Sequence, residues 1–170
     1  MIRCKWDGSA LIPAGHYGLS AAREIMEPGD LVIVEIDHPR SQATHKHQFA
    51  EIADAWRHLP EADQSQPWAT TPETLRKHAL IACGYCHSAP IDCGSNAAAT
   101  RVAPHLHSEA TRGHGYAITV IRGPVVTLYT PESQSQRAMG GKRFQESKSA
   151  VLNWIAAKIG VTPEQLRGAA

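Results

Sequence analysis

The sequence predicts an α+β fold, with a small mixed or antiparallel sheet and about four to five helices packed on it. Apolar residues recur at helical spacing in several segments, and short β-branched runs lie between them. These segments do not alternate strictly, as strands and helices do in a parallel sheet. The chain has 170 residues, of which 42% are hydrophobic. That is enough for one buried core and short for two ordinary domains, so we expect a single domain over residues 1–170.

The N-terminal segments predict a hairpin, a helix and a strand. Residues 2–6 and 10–12 favour a hairpin, because Asp7-Gly8-Ser9 between them is a typical turn. Residues 17–26 favour a short helix. Leu31-Val32-Ile33-Val34-Glu35-Ile36 is apolar and β-branched, and it predicts a central strand.

A longer helix is expected over residues 42–59, with Ser41 as its N-cap. Its apolar face is predicted to consist of Phe49, Ile52, Ala53, Trp56 and Leu59. Residues 61–71 favour a polar loop. Thr71-Pro72 then opens another helix, which ends near Gly84.

The second half of the chain predicts a hairpin and a long helix. Residues 116–121 and 125–129 are the clearest strands, and Arg122-Gly123-Pro124 predicts the turn between them. The last long helix is expected over 142–159, with Gly160 as its C-cap. Residues 85–115 have the weakest pattern, with a helix over 96–107.

Charge is uneven although the net charge is only +1. Residues 1–37 hold three basic and six acidic side chains, whereas residues 101–148 hold seven basic and three acidic ones. A basic half can attract polyanions even when the whole chain is near neutral. The sequence has neither a long apolar run nor an apolar N-terminal leader, so we expect a cytoplasmic protein with reduced thiols.

The cysteines form one local motif, Cys83-Gly84-Tyr85-Cys86-His87. This spacing occurs in haem c attachment, which belongs to exported proteins. The weak metal candidate is a zinc site of Cys83, Cys86, His87 and Cys93, and a redox dithiol is a further alternative. Ordinary, partly buried thiols are the favoured interpretation, so we expect no cofactor and no metal.

Two segments favour contacts with an anion. Residues 38–50 contain Arg40, Lys46 and three histidines without an acid, at the start of a helix, where free N–H groups favour anions. Residues 133–143 combine hydroxyl, amide and cationic donors with two glycines. The alternatives are a solvated helix start and a flexible polar loop. The predicted DNA-binding residues are Arg40, Ser41, His45, Lys46, His47, Ser133, Ser135, Arg137, Lys142 and Arg143.

Signatures of catalysis are absent from the sequence. It contains no G-x-S-x-G, H-E-x-x-H, G-x-G-x-x-G or P-loop motif. Nucleases of the metal-dependent kind need clustered carboxylates, and the acids here are scattered. We therefore expect a protein that is not an enzyme, with a metal-dependent nuclease as the weakest alternative.

Two segments resemble the NinB (Orf) family of phage recombination proteins. In residues 31–59, the apolar run, Pro39-Arg40-Ser41 and a helix with Phe49 resemble that family's strand, Arg-Ser motif and aromatic helix. In residues 133–161, Ser133-Gln134-Ser135 and the helix ending at Gly160-Val161 resemble its Ser-Thr-Ser loop and final helix. Thr44-His45 stands where the family has Gln-Asn. The start of the helix expected over 42–59, at residues 45–49, also resembles an uncharacterised phage protein family.

The resemblance implies a non-catalytic recombination mediator that binds single-stranded DNA. It further implies a homodimer and a contact with the host single-strand-binding protein. Trp154 lies beside the apolar stripe of the last helix, which would suit a dimer interface. The alternative from another class is a protein-interaction module of phage origin that captures a host protein.

Overall fold

The structure is a computed structural model that describes residues 2, 4–34, 42–135 and 138–168, without the side chains of 42–46, 167 and 168. The chain divides into two compact units, Met1–Ile36 and Asp37–Ala170. The expectation of one domain over 1–170 stays a prediction. In the described ranges, none of the helices combines the length and the apolar composition that crossing a membrane requires.

The predicted hairpin and first helix are confirmed in the N-terminal unit. The elements are β1 Cys4–Trp6, β2 Leu11–Pro13 and α1 Gly15–Ile25. The two strands pair in antiparallel fashion. The Asp7 carboxylate accepts hydrogen bonds from the backbone N–H groups of Ser9 and Ala10, both at 2.8 Å, and so holds the turn. These bonds lower the pKa of Asp7.

The predicted central strand over Leu31–Ile36 is wrong for its described part. Residues 31–34 form no strand, and Leu31 and Ile33 are fully exposed. Glu35 and Ile36 lie outside the described residues. The β-branched side chains favour extended backbone, but a strand also needs a neighbour to pair with, and nothing in the local pattern reports one.

The second unit contains most of the helices and a separate sheet. Its elements are α2 Gln42–Arg57, α3 Glu61–Gln64, a 3-10 helix Pro67–Ala69, α4 Pro72–Ala82, β3 Cys86–Asp92, α5 Asn96–His114, β4 Ile118–Arg122, β5 Val125–Pro131, α6 Gly141–Ile159 and α7 Pro163–Gly168. The α+β class is confirmed. The described residues hold seven α-helices rather than four to five, because the short helices α3 and α7 add to the five longer ones. The expected loop at 61–71 contains α3 and the 3-10 helix.

Helix ends follow the capping residues closely. The Thr71 hydroxyl accepts a hydrogen bond from the Thr74 backbone N–H at 3.1 Å, and the Thr74 hydroxyl accepts one from the Thr71 N–H at 2.9 Å. This reciprocal capping box fixes the start of α4. Gly115 and Gly160 end α5 and α6 in the left-handed conformation, both with φ of 72°. Helix α5 therefore extends well beyond the expected 96–107.

The sheet of the second unit has the order β3-β5-β4, with both pairs antiparallel. The predicted hairpin is confirmed as β4 and β5. Helix α5 covers one face, where Ala99 and Ala103 pack against Val126. The edge strand β3 was not predicted, because its side chains are mostly exposed and it contains Pro90. Such an edge strand has no apolar alternation to detect.

The main core lies between helices rather than on the sheet. Its buried residues come from α2, the 3-10 helix, α4, α6 and α7, and include Ile52, Leu59, Trp68, Leu75, Leu80, Leu152, Ile155 and Leu166. Helix α2 is rotated relative to the expected apolar face. Its polar residues Gln48 and Glu51 are buried, whereas Phe49 is 38% exposed.

An aromatic cluster joins the 3-10 helix to α4 and α6. The His78 ring stacks on Trp68 with centroids 5.2 Å apart, and it lies 5.4 Å from Trp154. His78 Nδ1 shares a hydrogen bond of 2.9 Å with the Tyr116 hydroxyl. The Lys158 ammonium lies within 5.6 Å of both indole rings. Trp154 thus packs against the core of its own chain. A Trp154→Glu substitution would disrupt this aromatic cluster, so the loss of a dimer in that variant would not identify Trp154 as part of a dimer interface.

We predict that His78 makes the protein less stable in acid. Its burial and the nearby Lys158 charge lower its pKa below the ordinary 6.5. The unfolded chain therefore takes up this proton more readily, so stability is complete above pH 6.5 and falls as pH decreases toward the folded pKa. Denaturant unfolding at several pH values should show a weaker acid dependence in His78→Gln. Identical pH dependence in variant and wild type would contradict this assignment.

Candidate functional site

A cleft of about 380 Å³ lies in the second unit between α4, the C-terminal end of α5 and the loop that follows β5. Phe49 of α2 also lines it. The remaining lining residues are Glu73, Arg76, Lys77, Gly113, His114, Pro131, Glu132, Ser133, Gln134 and Ser135. The cleft thus joins a part of the first predicted segment, Phe49, to the second predicted segment.

Gln134 fixes the loop after β5 through two side-chain hydrogen bonds. Gln134 is 4% exposed, and its carbonyl oxygen accepts a hydrogen bond of 2.5 Å from Arg76 NH1. Its amide donates to the Ser147 hydroxyl of α6 at 2.8 Å. Ser133 and Ser135, on either side, are exposed. The buried amide therefore directs two hydroxyl groups toward solvent at the cleft.

Arg76 occupies the wall of the cleft and is 7% exposed. Its Nε and NH2 donate to the two carboxylate oxygens of Glu73, at 2.9 and 2.7 Å. Its guanidinium lies 5.2 Å from the centroid of the Phe49 ring, within the range of a cation–π contact. Arg76 is therefore fixed by neighbours on α4, α2 and the loop.

Glu73 remains ionised because of its two cationic neighbours. Partial burial raises the pKa of Glu73, but the hydrogen bonds and charges of Arg76 and Lys77 outweigh it and leave the pKa below its ordinary value. The Lys77 ammonium lies 3.2 Å from the Glu73 carboxylate. An ammonium has three donors, so this contact leaves Lys77 able to bind an anion as well.

A second arginine fixes the start of the loop. Arg143 Nε donates to Glu132 at 2.8 Å, and its NH2 contacts the other oxygen of the same carboxylate. The guanidinium lies 5.1 Å from the Tyr85 ring centroid. The hydrogen bond from Arg143 lowers the pKa of Glu132, so this pair is charged at neutral pH. Arg143 therefore has a structural partner, and its DNA-binding role stays a prediction.

The remaining predicted DNA-binding residues are placed only in part. Arg40, Ser41 and Arg137 lie outside the described residues, and the side chains of His45 and Lys46 are not described. His47 is exposed in α2, with Nδ1 3.9 Å from the Glu51 carboxylate. Lys142 is exposed in the first turn of α6 and is not among the residues that line the cleft.

The sequence did not lead us to expect residues of α4 at the site, yet Arg76 and Lys77 line the cleft. Arg76 lies three and four positions before Ala79 and Leu80, so it falls on the apolar face of its own helix. A cation on the apolar face of a helix is rare unless it is paired. The position of Arg76 in the sequence therefore indicates a buried, paired guanidinium. Lys77 follows it directly and gave no such signal.

The cysteine motif does not assemble a metal site. Cys86 is the first residue of the seven-residue strand β3 and Cys93 follows its last, so the extended backbone separates them by about 23 Å, whereas two thiolates on one zinc ion lie within about 4.6 Å. Cys83 caps α4 and donates to the Ala150 carbonyl at 3.5 Å. His87 follows Cys86 in β3 and points to the opposite face of the sheet. Burial raises the pKa of Cys83 and Cys86, which disfavours their thiolates.

No family model matches the sequence, and no curated protein or solved structure matches it either.

We predict that Gln134 determines the conformation of the loop. Gln134→Leu leaves the Arg76 NH1 donor and the Ser147 hydroxyl acceptor without their buried partner, which should lower the free energy of unfolding by about 2 kcal/mol. Ser133→Ala, at the exposed neighbour, should change it by less than about 0.5 kcal/mol. Urea denaturation measures both. Equal, small effects would show that the loop does not depend on this amide.

Proposed function

We propose that this chain is a non-catalytic accessory protein of the cytoplasm, similar to phage recombination mediators, which binds single-stranded DNA in the cleft. One observation carries the proposal: the cleft joins exposed hydroxyl groups of Ser133 and Ser135, the Lys77 ammonium and the Phe49 ring. Hydroxyl and ammonium groups are typical ligands of phosphate oxygens. Aromatic rings are the typical partners of unpaired bases.

The preference for a single strand follows from Phe49. A base can stack on an aromatic ring only when it is free of its own helix, so a duplex would not use this side chain. Phe49 is 38% exposed, and Arg76 beside it restricts the ring. Phosphate and stacking contacts carry little sequence information, which suits a protein that acts on any single strand.

The charge of the cleft predicts a moderate salt dependence. Among the residues that line it, Arg76 and Lys77 oppose Glu73 and Glu132. Lys142 adds one exposed cation in α6. Arg76 is buried and paired, so the cations that a single strand can reach are Lys77 in the cleft and Lys142 outside it. Because one to two cations then release counterions, the slope of log affinity against log salt should be about −0.7 to −1.4.

We predict that Phe49→Leu weakens binding of a fluorescent oligothymidine. Leucine keeps the apolar contact but removes the ring, and one stacked base contributes roughly 1–3 kcal/mol, which is about fivefold or more in affinity. Tyr17→Leu removes an aromatic side chain that is 90% exposed in the other unit, so it is the matched control. Equal affinities of wild type and Phe49→Leu at low salt would exclude stacking on Phe49. Absence of any binding by the wild type would exclude the function.

A role in protein interaction is the second candidate, and one observation favours it. Nine of the twelve large hydrophobic residues that are exposed in the described chain lie within Met1–Ile36, although this unit is about a fifth of the protein. Exposed apolar surface of this density is typical of interaction sites. We propose the single-strand-binding protein, implied by the family resemblance, as the first partner to examine, together with a second copy of the chain as a homodimer.

We predict that Leu31→Ser with Ile33→Ser abolishes protein capture and leaves DNA affinity unchanged. Both side chains are fully exposed, so the substitution removes apolar surface without opening a cavity. A pull-down with purified single-strand-binding protein after nuclease treatment measures capture, and light scattering measures the mass of the chain. If the double variant captures the partner as well as the wild type, residues 31–34 are not the binding surface.

A further inference from the structure

The outer face of α5 carries a row of exposed polar and basic side chains. Its members recur at positions i, i+4, i+7 and i+11, which fall within about 60° of one another around a helix. We call this row the α5 stripe; it consists of Arg101, His105, Ser108 and Arg112. The opposite side of α5, with Ala99 and Ala103, packs on the sheet. Because Ala99 and Ala103 face the sheet, the stripe on the other side of α5 faces solvent.

The surroundings of the stripe are basic. Helix α5 itself contains two arginines, three histidines and a single acid, Glu109. Arg101 makes no ion pair among the described residues. Arg112 NH1 lies 2.6 Å from the Glu109 carboxylate, but the two side chains are 72% and 68% exposed. Exposed pairs of this kind contribute little, so Arg112 can exchange Glu109 for a phosphate at small cost.

The stripe ends at the turn of α5 that lines the cleft. Gly113 and His114, the last residues of α5, line the cleft, and Arg112 directly precedes them. From Arg112 to Arg101 the helix rises about 16 Å, which matches roughly three to five nucleotides, depending on how far the strand is extended. A strand that leaves the cleft at this end meets the basic row along its next nucleotides.

We propose that the α5 stripe is a second phosphate-binding surface, on which single-stranded DNA continues after it leaves the cleft. The proposal rests on the function proposed for the cleft and extends it. Arg101 and Arg112 bind phosphate oxygens, and His105 and Ser108 donate hydrogen bonds between them. These contacts are to the backbone, so the extension lengthens the site without adding sequence preference.

Two lengths of oligothymidine separate the cleft from the stripe. A short one, of about four nucleotides, reaches the cleft alone, and a long one, of about fifteen, covers both surfaces. In Arg101→Ala with Arg112→Ala, the salt slope for the long oligonucleotide should become shallower by about 1.4, since each lost phosphate contact of a single strand accounts for about 0.7. The slope for the short oligonucleotide should stay unchanged.

Two further variants act as controls. Arg57→Ala removes an exposed arginine that pairs with Asp54 at the same i, i+3 spacing, 3.6 Å apart, but in α2 and outside the cleft. It should leave both slopes unchanged, whereas Arg112→Ala alone should make the long slope shallower by about 0.7. Glu109→Gln frees Arg112 and should increase affinity for the long oligonucleotide only.

The outcomes distinguish the two proposals. If the short oligonucleotide binds in a manner that Phe49→Leu weakens, yet the long slope is the same in wild type and the double arginine variant, the stripe is overturned and the cleft stands. If the wild type binds neither oligonucleotide at low salt, both are overturned. A change for the short oligonucleotide equal to that for the long one would also overturn the stripe, because it would place the arginines in the cleft.

Discussion

The guanidinium of Arg76 connects three parts of the second unit that are distant in sequence. It is bound by the Glu73 carboxylate in its own helix, by the Gln134 amide in the loop after β5, and by the Phe49 ring in α2. A buried guanidinium is tolerated only when its donors are satisfied, so these partners must come together for the unit to fold. Arg76 and all three of these partners line the cleft, so the cleft forms where these contacts are made.

The same interaction explains why the cleft combines polar and aromatic groups. Gln134 turns inward to satisfy Arg76 and Ser147, which leaves Ser133 and Ser135 on the outer side of the loop. Glu73 pairs with both Arg76 and Lys77, so these three side chains together keep one net positive charge. Hydroxyl, ammonium and aromatic groups thus meet at one place because of the buried Arg76 guanidinium, which among them only the Phe49 ring contacts directly. The α5 stripe ends at Arg112, one residue before the part of α5 that lines the cleft.

Local signals predicted the parts of the fold that depend on local contacts. Thr71-Pro72 and Gly160 fix helix ends by capping, and Arg122-Gly123-Pro124 joins two strands that pair with each other. The segment Leu31–Val34 misled the prediction, because strand formation depends on a partner that the sequence does not identify. Edge strand β3 was missed for the opposite reason, since it pairs without an apolar pattern.

The candidate site was predictable to a similar degree. Ser133 and Ser135 could be found from their composition and spacing, and the structure places both at the cleft. Arg76 could not be assigned to the same site, since its contact with Gln134 joins residues 58 positions apart. The predicted role of Arg143 omitted Glu132, which lies eleven positions earlier, in the loop after β5.

Binding of single-stranded DNA in the cleft is tested most directly by an NMR titration of the whole isotope-labelled chain with an oligothymidine at low salt. The amide signals of Phe49, Lys77, Ser133 and Ser135 should shift together and saturate at one concentration. Signals of the exposed segment Leu31–Val34 should stay in place. Shifts confined to the N-terminal unit, or an unchanged spectrum at saturating DNA, would contradict a DNA-binding cleft.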